Sequence, residues 1–327
     1  MYQDTTIGVV VPAYNEAGFV GDVIDSIPAF VDRIYPVDDA STDGTWDEIR
    51  EHAARQNEPT PQLVGDGGTQ RRVVPLQHSE NRGVGGAIKT GYQRAVADGV
   101  EVVTVMGGDG QMDPAIIERI IDPVVEGRAD YAKGNRLLLG DHHDSMPPFR
   151  YVGNVMLTYL TRIASGYWGI GDPQNGYTAI SREAIQRGDI DEMYEFYGYC
   201  NDLLVRLNVA NMRVVDVPTP AVYGDEESHI EYSTYIPRVS GMLLRNFLWR
   251  LRAKYLADRP HPVALCYLFG AGALASGIGG SLLAPVTERA APAVAALGFG
   301  LCFLVLAMVL DKRSNEHLTT VASATPT

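Results

Sequence analysis

The chain has 327 residues, enough for one large α/β domain with an appendage or for two ordinary domains. Its 46% hydrophobic content excludes a disordered chain. With 40 acidic against 27 basic side chains the net charge is −13, which argues against nucleic acid as a partner. Residues 1–233 read as alternating strands and helices. Ile7–Val11 is an apolar run ended by Pro12, and Phe19, Val20, Val23, Ile24 and Ile27 mark a helical face. Arg33–Val37 predicts a second strand, ending at Asp38-Asp39. Thr45–Asn57 predicts a helix, with Ser41, Thr42 and Asp43 as capping candidates. A Pro/Gly-rich linker, Glu58–Thr69, leads to a third strand around Val73–Gln77. Gly85–Asp98 is helical, Val102–Met106 is a fourth strand, and Pro114–Glu126 is a helix with Pro at its start. This βαβα order predicts a mainly parallel sheet flanked by helices, with ligands beyond the C-terminal ends of the strands.

Residues 234–259 form a basic juxtamembrane segment. Ile236, Val239, Leu243, Leu244, Phe247, Leu248 and Leu251 alternate with Arg238, Arg245, Arg250, Arg252 and Lys254, the pattern of an amphipathic helix lying on an anionic membrane face, with an ordinary helix packing on the catalytic domain as the alternative. Residues 260–310 carry two spans. The first, 262–284, has 23 uncharged positions, about 34 Å as a helix, against a hydrocarbon core of about 30 Å. The second is 291–310. Gly272, Ser276 and Gly280 recur at helical spacing and suit close helix contact, which is compatible with a homo-oligomer. Basic residues precede the first span, and Lys312 and Arg313 follow the second, so both ends of the hairpin are expected on the cytoplasmic side. Residues 311–327 then read as a cytoplasmic tail. The N-terminus lacks the basic region and apolar core of a signal peptide, so the main domain is expected to stay in the cytoplasm. Cys200, Cys266 and Cys302 are far apart and support neither a disulfide framework nor a zinc site. Only 4 of the 27 basic residues are lysine. Such an acidic, Lys-poor chain suits a high-salt cytoplasm, and a high-GC genome gives the same bias.

The polar turns after the strands carry the chemistry. They are Pro12-Ala13-Tyr14-Asn15-Glu16, Asp38-Asp39-Ala40-Ser41-Thr42-Asp43-Gly44-Thr45, and Gly107-Gly108-Asp109-Gly110-Gln111-Met112-Asp113-Pro114. One acidic turn is usually a helix cap; three converging on one crevice point to a ligand. Asn81-Arg82-Gly83-Val84-Gly85-Gly86-Ala87-Ile88-Lys89-Thr90 fits neither a dinucleotide fingerprint nor a P-loop, because both need glycine where Ile88 stands. It reads either as a phosphate-side helix start, with Arg82 or Lys89 nearby, or as a tight lead into a helix. His142-His143-Asp144 lies in an irregular stretch and reads as an acceptor-side loop rather than a metal pair.

Taken as a set, these motifs, with Gly134-Asn135-Arg136 and Asp172-Pro173-Gln174-Asn175-Gly176-Tyr177, resemble family 2 glycosyltransferases. The likeness covers about residues 5–233 and is strongest to the polyprenyl-phosphate branch, such as dolichol-phosphate mannose and glucose synthases. It implies the GT-A nucleotide-diphospho-sugar fold and a UDP- or GDP-hexose donor. It also implies a polyprenyl (dolichyl) phosphate acceptor at the membrane lipid surface, and Mg²⁺ or Mn²⁺. Pro12, Tyr14 and Glu16 would line the base and ribose pocket, and Asp39 would contact base or ribose. Gly107 and Gly108 would flank the donor; Asp109 and Gln111 fall on the family's metal-binding motif. Arg136 matches an arginine facing diphosphate or sugar, and Asp202 an acidic position near sugar and acceptor. The chain departs from the pattern at Gly107, where the family's motif has its first Asp, and in Tyr223–His229, which lacks the family's Arg and Lys. His229 or Arg238 is then the candidate clamp for the acceptor phosphate. The expected activity is inverting hexosyl transfer to a lipid phosphate, for glycan assembly or protein glycosylation. The alternatives are a transferase extending a lipid-linked or polysaccharide glycan, and a nucleotide-sugar-binding scaffold.

Overall fold

A computed structural model describes residues 1–58, 71–138, 148–220, 232–257, 259–283 and 290–321. Eight strands form one sheet in the order β3-β2-β1-β4-β6-β5-β7-β8. They are β1 (Ile7–Ala13), β2 (Arg33–Asp38), β3 (Leu76–Gln77), β4 (Val102–Val105), β5 (Tyr131–Asn135), β6 (Thr178–Ser181), β7 (Val214–Pro218) and β8 (Thr319–Val321). The helices are α1 (Val20–Ser26), α2 (Thr45–Gln56), α3 (Val84–Ala97), α4 (Ile117–Val125), α5 (Pro148–Ser165), α6 (Arg182–Arg187), α7 (Tyr199–Val209), α8 (Tyr232–Tyr255), α9 (Pro262–Leu283) and α10 (Ala290–Asn315).

Strand β1 shows why this is a three-layer α/β sandwich. Alternate side chains of a strand point to opposite faces. Val9 and Val11 join the core formed with Val20 and Ile24 of α1, Ile49 of α2 and Ile120 of α4. Val10 joins the opposite core with Ile88 and Tyr92 of α3 and Leu203 and Leu207 of α7. A β-branched side chain fully buried on either face contributes about 1.5–3 kcal/mol, which is why the strand is apolar throughout rather than alternating. Strand β1 pairs in parallel with β2 and β4, as the βαβα order requires. Among the described residues the one reversal in the sheet is β6, antiparallel to both β4 and β5. Gly91 of α3 sits where a Cβ would collide with Val10, so the helix approaches β1 closely only because that residue is glycine.

The C-terminus corrects the expectation of a free tail. Thr319–Val321 pairs in parallel with β7, in the register Val214↔Thr319, Val215↔Thr320 and Asp216↔Val321. The segment after the apolar hairpin is therefore the edge strand of the same sheet that begins with residue 7, and the domain is not confined to residues 1–233. Nothing in the local sequence marks so short a strand; only the partner edge of β7 makes it one.

Helices α9 and α10 pack side by side, and both are long and apolar enough to cross a membrane, with mean hydropathies of 1.6 and 2.7 over their candidate spans. Phe269 and Phe299 are 63% and 65% exposed, unlike residues of a soluble core helix. The close contacts do not use the Gly272, Ser276, Gly280 stripe. A Cβ at Gly277 would stand 2.9 Å from the Ala293 carbonyl oxygen, one at Gly300 2.8 Å from Leu274 N, and one at Gly270 3.0 Å from Leu304 N, whereas Gly272 meets nothing within 4 Å. The small-residue face is right in kind and rotated in phase.

Helix α8 combines the two readings its sequence allows, packing on the catalytic domain while keeping an exposed basic and apolar face. It packs on α5 and α7 through Val239, Met242 and Leu243. Two of its basic residues point inward: Arg250 is fully buried on Asp311 of α10, and Lys254 donates to the Asn208 carbonyl of α7. Arg238, Arg245 and Arg252 remain exposed beside Ile236, Leu244 and Leu248, so the amphipathic face is narrower than the sequence suggested. Most of the Pro/Gly-rich linker, His142-His143-Asp144 and Tyr223–His229 lie outside the described residues.

Candidate functional site

The C-terminal ends of β1, β2 and β4 open into a crevice of about 550 Å³, within the usual range for a small-molecule site. Its lining includes Pro12, Tyr14, Glu16, Asp39, Gly107, Gly108 and Asp109, so the three turns singled out in the sequence do meet in one place. Gln174, Phe196, Tyr197 and Tyr199 line it as well.

The first two turns are sewn together by the Ser/Thr/Asp run after β2. Asn15 takes the left-handed conformation (φ 57°) and accepts from the Thr42 N–H at 2.9 Å. Its own N–H donates to Ser41 Oγ at 2.9 Å, and the Glu16 N–H donates to Thr45 Oγ1 at 2.8 Å. Asp43 accepts from the Thr45 N–H at 3.0 Å in a local turn, whereas the N-cap of α2 is Gly44, with no side-chain cap, so the expected capping by Ser41, Thr42 or Asp43 is not found. Ser41, Thr42 and Asp43 thus shape the pocket without lining it. Asp38 is buried and accepts from Ser41 N and Gln77 Nε2, which leaves Asp39 as the acidic residue of the pair that reaches the crevice.

Asp39 holds a network that the sequence did not reveal. Its Oδ1 accepts from His78 Nδ1 at 2.6 Å and from the Arg82 N–H at 2.9 Å, while His78 Nε2 lies 2.8 Å from Thr90 Oγ1. His78 follows β3 directly, at the same sheet end as Asp39. Only the parallel pairing of β2 with β3 brings them together.

On the β4 side, the Gly108 N–H donates to the Pro12 carbonyl at 3.1 Å, and a Cβ at Gly108 would lie 3.0 Å from that oxygen. Asp109 folds back, its Oδ1 accepting from the Gln111 N–H at 3.1 Å. A Cβ at Gly107 would stand 2.9 Å from the same Oδ1. The position that carries an Asp in the family's motif is thus taken up by the Asp109 carboxylate. Among the described residues no group of three or more His, Cys, Asp or Glu could hold a metal ion. One carboxylate does fit a Mg²⁺ or Mn²⁺ ion bound chiefly by substrate phosphates and water, since hard oxygen donors of that kind complete its octahedron. Asp109, with Gln111 beside it, would hold such an ion.

Four other candidates are placed differently from expectation. Lys89 is buried and donates to the Asp191 carbonyl and to Glu195 Oε1, at 2.9 and 2.8 Å. Arg82 donates to the same Glu195 oxygen at 2.6 Å. The Arg82 hydrogen bond, backed by Lys89 and opposed by burial, holds the Glu195 carboxyl below its usual range. Gly83 has φ 79°, and a Cβ there would lie 2.7 Å from the Glu195 carbonyl; one at Gly85 would lie 2.5 Å from that of Tyr194. The Gly-rich segment is therefore a close seat for the 194–196 backbone, fastened by Arg82 and Lys89, while its Asn81, Gly83 and Val84 also line the crevice. Asp202, only 1% exposed, is absent from the crevice lining. It accepts from the Tyr194 N–H at 2.9 Å, Arg206 Nε at 2.7 Å and Asn246 Nδ2 of α8 at 2.6 Å, so both of its oxygens are engaged within the fold. Arg136 also stands outside the crevice lining. Its Nε and Nη2 donate to both oxygens of Asp172, at 2.7 and 2.8 Å. Burial opposes ionisation of Asp172, but Arg136, with Lys133 adding, outweighs it and keeps the carboxyl below its usual range. Arg238 is exposed on α8, and His229 lies outside the described residues.

Helix α8 connects this site to the hairpin. Asn246 grips Asp202 and so the 194–199 wall, while one turn later Arg250 forms a bidentate pair with Asp311 at 2.9 and 2.8 Å. Tyr255 and Asn315 also donate to Asp311, and Asn208 of α7 donates to Asn315.

A mainly parallel sheet, with an acidic and aromatic crevice at the strand ends and a glycine-bordered Asp109, defines a nucleotide-sugar transferase of GT-A type. The sequence profile of Glycosyl transferase family 2 matches residues 8–188, and the chain belongs to that family of glycosyltransferase enzymes. It is 28% identical to the UDP-N-acetylglucosamine–dolichyl-phosphate N-acetylglucosaminyltransferase of Methanococcus voltae, over 67% of this chain and 87% of that one. It is 26% identical to the polyprenol monophosphomannose synthase of Mycolicibacterium smegmatis, over 74% and 84% of the two chains. With the undecaprenyl-phosphate mannosyltransferase of Micrococcus luteus it shares 27% identity, over 64% and 80%.

Proposed function

We propose that the protein transfers a hexose from a nucleoside-diphosphate sugar to a polyprenyl phosphate, with inversion, at the cytoplasmic face of a membrane. The observation that carries this reading is the bridging role of α8, which touches the crevice wall through Asn246 and the apolar hairpin through Arg250. An acceptor rooted in the bilayer would then meet the donor at a fixed distance from the membrane. The three relatives named above act on dolichyl, polyprenol or undecaprenyl phosphates, and this supports the same acceptor class here.

In this reading the base and ribose lie against Pro12, Tyr14, Glu16 and Asp39. A divalent ion held by Asp109 and Gln111 would neutralise charge developing on the departing diphosphate. Arg136, its plane fixed by Asp172, would face the diphosphate or sugar as the family resemblance implies, its charge partly offset by that carboxylate. The acceptor phosphate attacks the anomeric carbon from the face opposite the diphosphate, and this inverts that centre. A phosphate is already ionised at neutral pH, so no general base is required, which agrees with Asp202 being consumed by structure. Arg245, Arg252, Lys312 and Arg313 flank the hairpin and support a cytoplasmic catalytic domain and C-terminus.

The test is radiolabel transfer into organic-extractable lipid by purified protein with Mg²⁺ or Mn²⁺, dolichyl phosphate and each donor in turn. Label from one donor, lost in Asp109→Ala, is the expected result. Nucleotide binding without label from any donor would instead favour a glycan acceptor or a scaffold.

A further inference from the structure

The tyrosine that opens α7 lies across the floor of the crevice. A Cβ at Gly85 would stand 2.8 Å from Tyr199 Cβ, and one at Gly176 3.5 Å from the Tyr199 hydroxyl oxygen. The ring therefore runs from α3 to the loop before β6, and only glycine at position 85 leaves room for its root. Tyr199 is 6% exposed and packs with Val10, Ile88 and Val105. Its helix start is pinned as well, the Asn201 and Asp202 N–H groups donating to the Gly198 carbonyl at 2.9 and 3.2 Å. The ring is thus held in place, yet Tyr199 lines the crevice, and among the described residues its hydroxyl has no oxygen or nitrogen partner. Burial raises the phenol well above its ordinary range, so it keeps its proton at any working pH. An unmatched buried hydroxyl is costly, and phenylalanine would fill the same space without that cost.

The neighbours of that oxygen indicate which part of a ligand it meets. The same Cβ position at Gly176 lies 3.5 Å from Met112 Cε, and Met112 Sδ accepts from the Gly107 N–H at 3.3 Å. The hydroxyl therefore stands beside the turn that carries Asp109, whereas Asp39 is fastened to Arg82 and His78. With base and ribose at Asp39 and the diphosphate at Asp109, the part of the donor left to reach Tyr199 is the hexose. A sugar hydroxyl both donates and accepts, as a phenol does. Gly176, with no side chain, leaves space over the oxygen, where a methyl would meet Met112 and Tyr199 at ordinary contact distance.

We propose that the Tyr199 hydroxyl hydrogen-bonds a hydroxyl of the transferred hexose, holding the sugar from a fixed ring, while Gly176 keeps the space for it open. The inference rests on the donor-site reading above and assigns a sugar contact within it. Titration calorimetry on the full-length protein in detergent with Mg²⁺ tests it, with UDP, GDP, UDP-glucose, UDP-N-acetylglucosamine and GDP-mannose as probes. Tyr199→Phe deletes one oxygen. It should weaken the sugar nucleotide that the wild type binds by about three- to tenfold, the usual worth of one neutral hydrogen bond, and leave UDP or GDP alone unchanged. Gly176→Ala should produce the same difference by filling sugar space with the hydroxyl intact. Equal weakening of nucleotide and sugar nucleotide in Tyr199→Phe would put the hydroxyl on the diphosphate or in the fold. No weakening of either would make it idle. Both results overturn the inference and leave the donor site standing. Wild-type protein that binds none of these probes would overturn the donor site and the inference together. Where Tyr199→Phe fails to fold, Gly176→Ala decides by the same comparison of sugar nucleotide with nucleotide.

Discussion

Replacing Asp311 with alanine is the sharpest probe of how the hairpin is mounted. The substitution leaves Arg250, fully buried, facing no carboxylate. Removing one partner of a buried ion pair costs about 3–5 kcal/mol, because the remaining charge stays desolvated. Tyr255, Asn315 and Trp168 lose the same acceptor, at about 1 kcal/mol each if counted singly. These terms share one carboxylate and do not add, so about 4 kcal/mol is expected in total. A chain of this length has an unfolding entropy of roughly 0.7 kcal/mol/K, and the midpoint should fall by about 6 °C. Thermal unfolding of the purified protein in detergent, followed by intrinsic fluorescence, measures it. Arg250→Met with Asp311→Leu removes both charges and should recover most of the loss, since an apolar pair of similar volume replaces a buried ion pair at little cost. A fall below about 1 °C for Asp311→Ala, or a double variant as damaged as the two singles summed, would refute a buried and mutually dependent pair.

Other expectations follow from the same contacts. Burial, with Arg250 adding, pushes the Lys254 ammonium down from 10.5 to about 8. The unfolded chain holds that proton more tightly, so this group's cost is present below pH 8 and is relieved as pH rises from 8 to 10.5. Lys254→Gln should flatten that part of the stability profile. Asp172→Asn removes the carboxylate that aligns Arg136 and should lower kcat/KM roughly tenfold to a hundredfold with the sheet intact by circular dichroism. Because the Asp172 carboxyl lies below its ordinary 3.8, its contribution is fully present above that pH and is lost only as pH falls through the lower folded value. Kinetics at pH 5 and 7 should therefore show no fall assignable to it. Ending the chain at Leu318 deletes β8 and bares the edge of β7, so hydrogen exchange at Val214–Asp216 should accelerate while α9 and α10 stay protected.

Much of this molecule follows from its sequence, for a physical reason. Strands such as Ile7–Val11 and Val102–Met106 are short apolar runs stopped by Pro12 or by glycine, and the turns after them must lie at one sheet end once the strands run parallel. The period of the apolar residues, the charge-free stretches and the polar turn motifs are all local signals. They gave the sheet, the hairpin and the gathering of Tyr14, Asp39 and Asp109. What remained illegible is a matter of which distant groups become neighbours. A charge in sequence does not say whether it faces water, and so Arg250 and Lys254 read as a membrane-facing stripe although both turn inward. Lys89 and Asp202 carry the charges a site would need, yet Glu195, Arg206 and Asn246 consume them. Gly83 and Gly85 left two readings open, a phosphate-side helix start or a tight lead into a helix, because close approach to a ligand and close approach to another backbone require the same missing Cβ. His78 on Asp39 and Thr319–Val321 on β7 are non-local pairings, decided only when the sheet sets its register. Sequence fixed which chemistry was present; tertiary structure decided which groups were left over to perform it.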